Sequence, residues 1–294
     1  MGKRVLLLSF FLFSFVSLQA QTVADTTWRR SLSTGLNLNQ AAFSDNWKAG
    51  GVSSIALNTF FNGRANYKWE RVSWDNTLQL QYGLLKNKGE GMRKSLDRLY
   101  LDTKYGVGFS NDWNVFASAN FLSQFTKGYE YDIDDAGNDK LISNFLSPGY
   151  LTFALGAEYK PTPNFSLRLS PFAPRFTFLV DENVGENERY GVPPGDKVRT
   201  EILSGLVQVD YQKDFAANLN LKLSYISNLN YKRISFDKVD HRVNAVLTAK
   251  ITRYINVNLM GNVVYDRDQD HSVQYSQSLG LGVMYSLEGI STGQ

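Results

Sequence analysis

The sequence predicts an all-β protein, a single antiparallel transmembrane β-barrel of about twelve strands, with fourteen as the alternative count. Three observations predict it. Apolar and polar residues alternate with period two through the chain after Ala20, as strands with two unlike faces do. Most alternating segments run about ten residues or more, close to the 9–11 that cross a bilayer as tilted strands. Soluble strands average about 5–6. The connections alternate short and long, as barrel turns and outer loops do.

The first twenty residues read as a leader, not as fold. Lys3 and Arg4 precede the apolar run VLLLSFFLFSFV, and SLQA ends on the small residue Ala20. This is the pattern of a secretory signal peptide (1–20), with the barrel domain expected over 28–288. No later run approaches the 18 apolar residues of a helical span. Removing Lys3 and Arg4 lowers the formal net charge from +3 by two, so nucleic acid is not an expected partner. The chain has no cysteine, which excludes disulfides, thiol nucleophiles and Cys zinc sites. A closed network of backbone hydrogen bonds is then the expected source of stability. Mean hydropathy is −0.29, low for a membrane protein but consistent with a barrel whose inner face is polar.

In chain order, strands are predicted at 30–40, 52–69, 72–85, 97–109, 113–125, 149–160, 164–172, 200–212, 217–229, 238–250, 254–265 and 272–287. Short turns fall near Trp69–Arg71, Ser110–Asp112, Pro161–Pro163, Lys213–Ala216 and Ile251–Arg253. Longer connections fall at 41–51, 86–96, 126–148, 173–199, 230–237 and 266–271. SPGY (147–150) and GVPPGD (191–196) stiffen the two longest. An even strand number puts both termini at the short-turn, periplasmic side. The last aromatic is Tyr285, followed by SLEGISTGQ, so the final strand is expected to stop early or to carry a tail.

Parity separates the faces. Stripes such as Leu99, Leu101, Thr103, Tyr105 and Val107, or Leu219, Leu221, Leu223 and Tyr225, hold no charge in mid-strand. The opposite face carries Arg64, Lys68, Asp75, Arg98, Asp102, Lys104, Glu158, Arg168, Asp210, Lys222 and Arg242. These are the expected lumen-lining residues, seven basic and four acidic. A charge on the lipid face near the midplane costs about 2–4 kcal/mol, which explains the one-sided distribution. Trp69, Trp74, Trp113, Phe165, Phe215 and Tyr254 lie beside short turns; Phe125, Tyr150, Tyr265 and Tyr275 lie towards the long loops. Two such rows are the expected interfacial girdles, with Trp69, Trp74, Trp113, Phe165 and Tyr254 marking the periplasmic one.

Chemistry-bearing residues are sparse. His241 and His271 each follow an aspartate, Asp240 and Asp270, and Ser272 follows His271. Strand neighbours point to opposite faces, so neither pair is placed for a catalytic relay. No catalytic residue, cofactor or metal is assigned. YDIDDAGNDK (131–140) mimics a calcium loop through Asp132, Asp134 and Gly137, but Ala136 and Ser143 occupy ligand positions, so a solvated outer loop is the simpler reading. DRDQD (266–270) reads the same way.

Several segments carry a family resemblance: NWKAGG (46–51), WDN (74–76), KSLDRLYLDTKYG (94–106), SQFTKGYEYD (123–132), ISNFLSPGYLTFALGAEYKP (142–161) and LSPFAPRFTFLVD (169–181). Their order resembles a Bacteroidetes-type family of outer-membrane barrels catalogued as domain of unknown function 3078. The resemblance is densest from 46 to 181. It implies an integral outer-membrane barrel and supplies no reaction. The function expected is a narrow channel for small solutes with a mildly cationic lumen. A structural or assembly role, docking other envelope proteins, is the alternative, and a lipid-modifying or proteolytic surface enzyme the weakest reading. The expected surroundings are outer-membrane lipid and lipopolysaccharide around a monomeric barrel.

Overall fold

The computed structural model describes residues 28–44, 52–131, 138–184, 190–233 and 239–291. The leader, all of NWKAGG and the calcium-like positions Asp132, Asp134, Ala136 and Gly137 lie outside them. Among the described residues sixteen strands follow in chain order: β1 (Trp28–Ala41), β2 (Ser54–Trp69), β3 (Val72–Asn87), β4 (Met92–Gly108), β5 (Trp113–Ser123), β6 (Gly128–Glu130), β7 (Lys140–Ser143), β8 (Gly149–Thr162), β9 (Phe165–Phe172), β10 (Arg175–Phe178), β11 (Val198–Glu201), β12 (Ser204–Ala216), β13 (Leu219–Asn230), β14 (Asp240–Lys250), β15 (Ile255–Tyr265) and β16 (Gln274–Ser291). No helix among the described residues is long and apolar enough to cross a membrane.

Twelve strands form a closed antiparallel ring. It runs β8-β5-β4-β3-β2-β1-β16-β15-β14-β13-β12-β9, and a β8–β9 pairing closes it. β1 pairs with β16 from Trp28↔Ser291 to Leu38↔Leu281, so the start of β1 and the end of β16 meet at the short-turn end. The last strand therefore neither stops at Tyr285 nor leaves SLEGIS as a tail: it pairs through Ser291.

β10 and β11 are not separate walls. β10 pairs with the start of β8 (Phe178↔Gly149) and with β11 (Arg175↔Glu201), so it prolongs β9 as β11 prolongs β12. Pro171 and Pro174 lack donors and interrupt the ladder. The gap is sealed locally. Ala173 N donates to Ser204 O at 2.7 Å, Phe153 N donates to Pro174 O at 3.0 Å, and Ser204 Oγ donates to Ala173 O at 2.5 Å. The predicted 173–199 connection is thereby shortened to 179–197.

The predicted 86–96 connection is shorter still. β3 runs to Asn87 and β4 starts at Met92, leaving four residues. Here the hairpin projects beyond the apolar belt, where no stripe is required and alternation fades. A small β6–β7 hairpin occupies part of 126–148.

Register decides the faces. Leu57 opposes Leu38, Trp74 opposes Tyr67 and Tyr105, and Leu101 opposes Leu78 and Phe121. These residues share one face, on which Leu36, Leu57, Leu101, Val115, Leu155 and Leu281 are exposed. An exposed, continuous apolar belt is what lipid stabilises and water does not. The other face points inward. It buries Asn37, Lys104, Thr152, Glu158, Ser166, Asn256 and Asn258, together with one apolar patch of Phe116, Ala154, Ala173 and Leu206 against Ile226.

The closing seam depends on Gly156. A Cβ there would overlap the carbonyl oxygen of Leu169 and lie 2.8 Å from Ser170 Cα, beside the register shift between Leu155 and Ala157. Gly156→Val is therefore expected to leave the β8–β9 edges unpaired and to remove the heat-modifiable folded band on electrophoresis. Gly261→Ala, with nothing within 4 Å of the new Cβ, should fold normally.

Candidate functional site in the barrel interior

The register places all eleven predicted inner charges on the inward face: Arg64, Lys68, Asp75, Arg98, Asp102, Lys104, Glu158, Arg168, Asp210, Lys222 and Arg242. Alternation alone gives that face. Which charges meet is a matter of the closed ring. Lys104 on β4 donates to both carboxylate oxygens of Glu158 on β8, at 2.8 and 2.7 Å. Its Nζ also lies 3.3 Å from Asp75 on β3. Glu158 further accepts from Ser166 Oγ at 2.7 Å and Arg168 Nε at 3.3 Å, and Arg168 reaches Asp102 at 3.9 Å. Asp210 accepts from Gln208 and Ser224, each at 2.7 Å. The network spans β3, β4, β8, β9, β12 and β13, one side of the ring.

Lys104 and Glu158 are only 2% and 3% exposed, so the pair is a dry bridge over the inner face of β5, which stands between their strands. Desolvating two charges is costly and is offset only by full hydrogen bonding; Glu158 has four donor contacts. The other side, β15, β16 and β1, carries no charge on its inner face in mid-strand. Asn258 Nδ2 donates to Asn37 and to Asn256, each at 3.3 Å.

By contrast Arg64, Lys68, Arg98, Lys222 and Arg242 make no ion pair among the described residues. All four predicted acids are engaged, whereas these five cations have no carboxylate partner among the described residues; Arg98 lies over the Tyr100 ring, 5.0 Å from its centre.

The long-loop mouth holds a second polar cluster that alternation misses. Arg175 Nη1 donates to Asp240 Oδ2 at 2.6 Å, and its guanidinium lies 4.4 Å from the Tyr150 ring centre. Arg199 pairs with Glu201 at 2.7 Å and with Asp268. Gln269 donates to Tyr150 at 3.2 Å and to Asp266 at 2.7 Å. Thus the DRDQD loop, expected as solvated, turns into the mouth, and Asp266 is buried. Tyr150, expected in the outer aromatic row, faces inward: Tyr150 opposes Thr177 and Leu122 and is buried. Its phenol serves the mouth, not the membrane surface. Arg175 escaped detection because the Pro171–Pro174 break reverses parity: Arg168 and Ser170 are inward, and so is Arg175. The two prolines were the available signal.

Two cavities lie here. One of about 300 Å³ is lined by Arg175, Arg199, Glu201, Asp240, Asp268 and His271, among others. One of about 60 Å³ lies among Arg98, Tyr100, Asn120, Tyr150, Arg175, Asp240 and Arg242.

The histidines do not assemble a relay. Asp240 points inward to Arg175, whereas His241 points outward, its Nδ1 2.8 Å from Tyr225 OH. His271 receives Arg267 Nε at 3.3 Å, and Asp270 accepts the Ser272 backbone N–H. Among the described residues no group of three potential ligands could hold a metal ion.

At the short-turn end Trp28 packs 5.3 Å from Tyr67 and 5.9 Å from Trp74, and Trp113 lies 4.9 Å from Tyr159. Trp69 and Tyr254 are exposed, and Phe165 opposes Tyr211 on the outer face. Beyond the opposite rim, the two longest loops are tied together. Ser147 Oγ accepts Val180 N and Asp181 N at 3.0 and 2.8 Å. Asn144 donates to Asp181 at 2.6 Å, and Leu179, Val184 and Val192 form a small apolar core.

A closed antiparallel ring with an apolar outer belt and a charged inner face defines an outer-membrane-type β-barrel. Residues 38–129 match the model of a family described as protein of unknown function (DUF3078), the family that the sequence motifs resemble; the later motifs lie beyond the matched segment. Among solved structures, the COG4313 outer membrane channel from Pseudomonas putida F1 aligns at TM-score 0.42 and 9% identity, over 91% of this chain and 97% of that one. The translocator domain of autotransporter NalP from Neisseria meningitidis aligns at TM-score 0.38 and 11% identity, over 89% of each chain. The assignment to the barrel class rests on the closed register itself. No curated protein sequence matches the chain.

Two outcomes follow from this geometry. Glu158→Gln should leave Lys104 buried without its main counter-charge and cost about 3–5 kcal/mol in denaturant unfolding; adding Lys104→Met should restore most of it. In the loop lock, the Asn144 amide and then Asn183 hold the Asp181 carboxyl below its ordinary value of 3.8. A depressed carboxyl stabilises above its unfolded pKa, and the contribution fades as pH falls through the folded value. Amide protection at Val180 and Asp181 should therefore hold at neutral pH and fall progressively below pH ~3.8, by hydrogen exchange; Asp181→Asn should abolish that pH dependence.

Proposed function

We propose that the protein is a monomeric outer-membrane channel of narrow bore for small anionic solutes, closed at rest by the Lys104–Glu158–Arg168 network. Export by residues 1–20 and insertion with the short turns facing the periplasm belong to this reading. One observation carries it: the acids of the inner face are engaged in ion pairs or hydrogen bonds, while Arg64, Lys68, Arg98, Lys222 and Arg242 have no ion-pair partner among the described residues. Cations left without counter-ions along a confined path favour passage of anions. The dry bridge of Lys104 and Glu158 supports a closed resting state, because a solute must displace a fully bonded pair. Twelve strands also lie between the filled eight-stranded barrels and the open porins of 16–18.

In planar bilayers the wild-type barrel should give rare, small, anion-selective steps. The Lys104→Met/Glu158→Gln variant should open more often, its reversal potential still on the anion side. Folded but silent barrels in both cases would overturn the reading.

A further inference from the structure

We propose that the smaller cavity is an oxyanion-binding site, in which Arg98 and Arg242 grip a carboxylate or phosphoryl head from opposite walls. Arg98 stands on β4 and Arg242 on β14, and these strands are half the ring apart, six steps in either direction. Both nevertheless line the same cavity of about 60 Å³. Neither has an ion pair among the described residues, and the Nε of Arg98 is buried without any hydrogen-bond partner. An orphaned buried donor is costly and asks for an acceptor. Guanidinium forks match the paired oxygens of a carboxylate or phosphate.

The acids in the same cavity are already committed. Asp240 accepts from Arg175 at 2.6 Å, and Asp266 accepts from the Asp268 backbone N–H at 3.1 Å and Gln269 at 2.7 Å. They accept no hydrogen bond from Arg98 or Arg242; Arg98 lies over the Tyr100 ring, 5.0 Å from its centre, a contact through the face of the guanidinium that leaves its N–H edge for a ligand. Tyr150 adds a donor: its oxygen accepts from Gln269, which leaves the O–H to point at a ligand. Access is also visible. Arg175, Asn228 and Asp240 line both this cavity and the 300 Å³ vestibule, so the Arg175–Asp240 pair stands between them. A small anion places its charged head in the inner chamber, and the rest of the solute lies in the vestibule.

The site deepens the channel reading by naming the chemistry of its solute, although binding does not itself require conduction. Full-length folded barrel in detergent is titrated calorimetrically with inorganic phosphate and, separately, with succinate, at constant ionic strength in chloride. Saturable one-site binding of at least one probe is expected. Arg98→Gln and Arg242→Gln should each weaken it at least tenfold, and Arg98→Lys, which keeps the charge but loses the fork, should weaken it less. Arg71→Gln, in a turn at the far end, should leave it unchanged; heat-modifiability verifies that each variant is folded. Response to succinate alone assigns a carboxylate head, and response to phosphate alone a phosphoryl head. Absence of saturable binding, or binding by both glutamine variants as tight as by the wild type, overturns the site. Arginine-dependent binding by a barrel silent in bilayers removes the channel reading and keeps the site; conduction without saturable binding does the reverse.

Discussion

Everything in this molecule depends on closing the sheet between β8 and β9. In hydrocarbon no water satisfies a backbone N–H or C=O, so an open edge costs several kcal/mol per group. The first and last strands meet readily, because β1 starts and β16 ends at the short-turn end and the two pair over eleven positions. The β8–β9 seam is the irregular one. It carries two register shifts and a glycine packed against the neighbouring backbone. Above it the ladder changes partners, with β10 taking the place of β9 against β8 and side chains from Ser204 and Ser147 filling the gaps. The chain thus accommodates two prolines in a barrel wall while the carbonyls of Pro171, Ala173 and Pro174 all accept hydrogen bonds.

Closure creates the interior, and the interior is asymmetric. Charge gathers on the side built by β3, β4, β8 and β9, while β15, β16 and β1 contribute amides and small residues. The charged side is cross-linked by Glu158, whose carboxylate draws together residues from β4, β8 and β9. Such a bridge adds little net stability over an apolar equivalent. In the channel proposed above, the bridge acts as a reversible obstruction and not as a permanent filler, since a hydrophobic plug would fill the space at lower cost.

Much of the fold was legible in the sequence, for a local reason. Side chains alternate strictly across a strand, and a charge facing lipid is penalised heavily; parity and charge therefore sort the residues of Phe61–Lys68 or Leu99–Val107 without any knowledge of partners. Legibility failed where that rule is suspended. At Pro171–Pro174 the interruption reverses parity, so Arg175 and Arg199 could not be assigned by counting. At Met92–Leu96 the register slips against β3 between Gly83 and Leu84 and the outer positions carry Lys86 and Lys94, so the apolar stripe ends there. Tyr150 was misassigned because position near a strand end says nothing about which side of the wall the ring is on. The DRDQD loop looked solvated because its contacts, Tyr150 and Arg199, are distant in sequence.

The sequence by itself determined the class of protein and the inner and outer faces, because both follow from period, strand length and the cost of charge in lipid, which act residue by residue. Only the tertiary structure decided that Lys104 meets Glu158 and Asp75, that Arg98 and Arg242 confront one cavity from opposite walls, and that the 266–271 loop enters the mouth. Those pairings depend on register summed around a closed ring of twelve strands, and no local pattern encodes that sum.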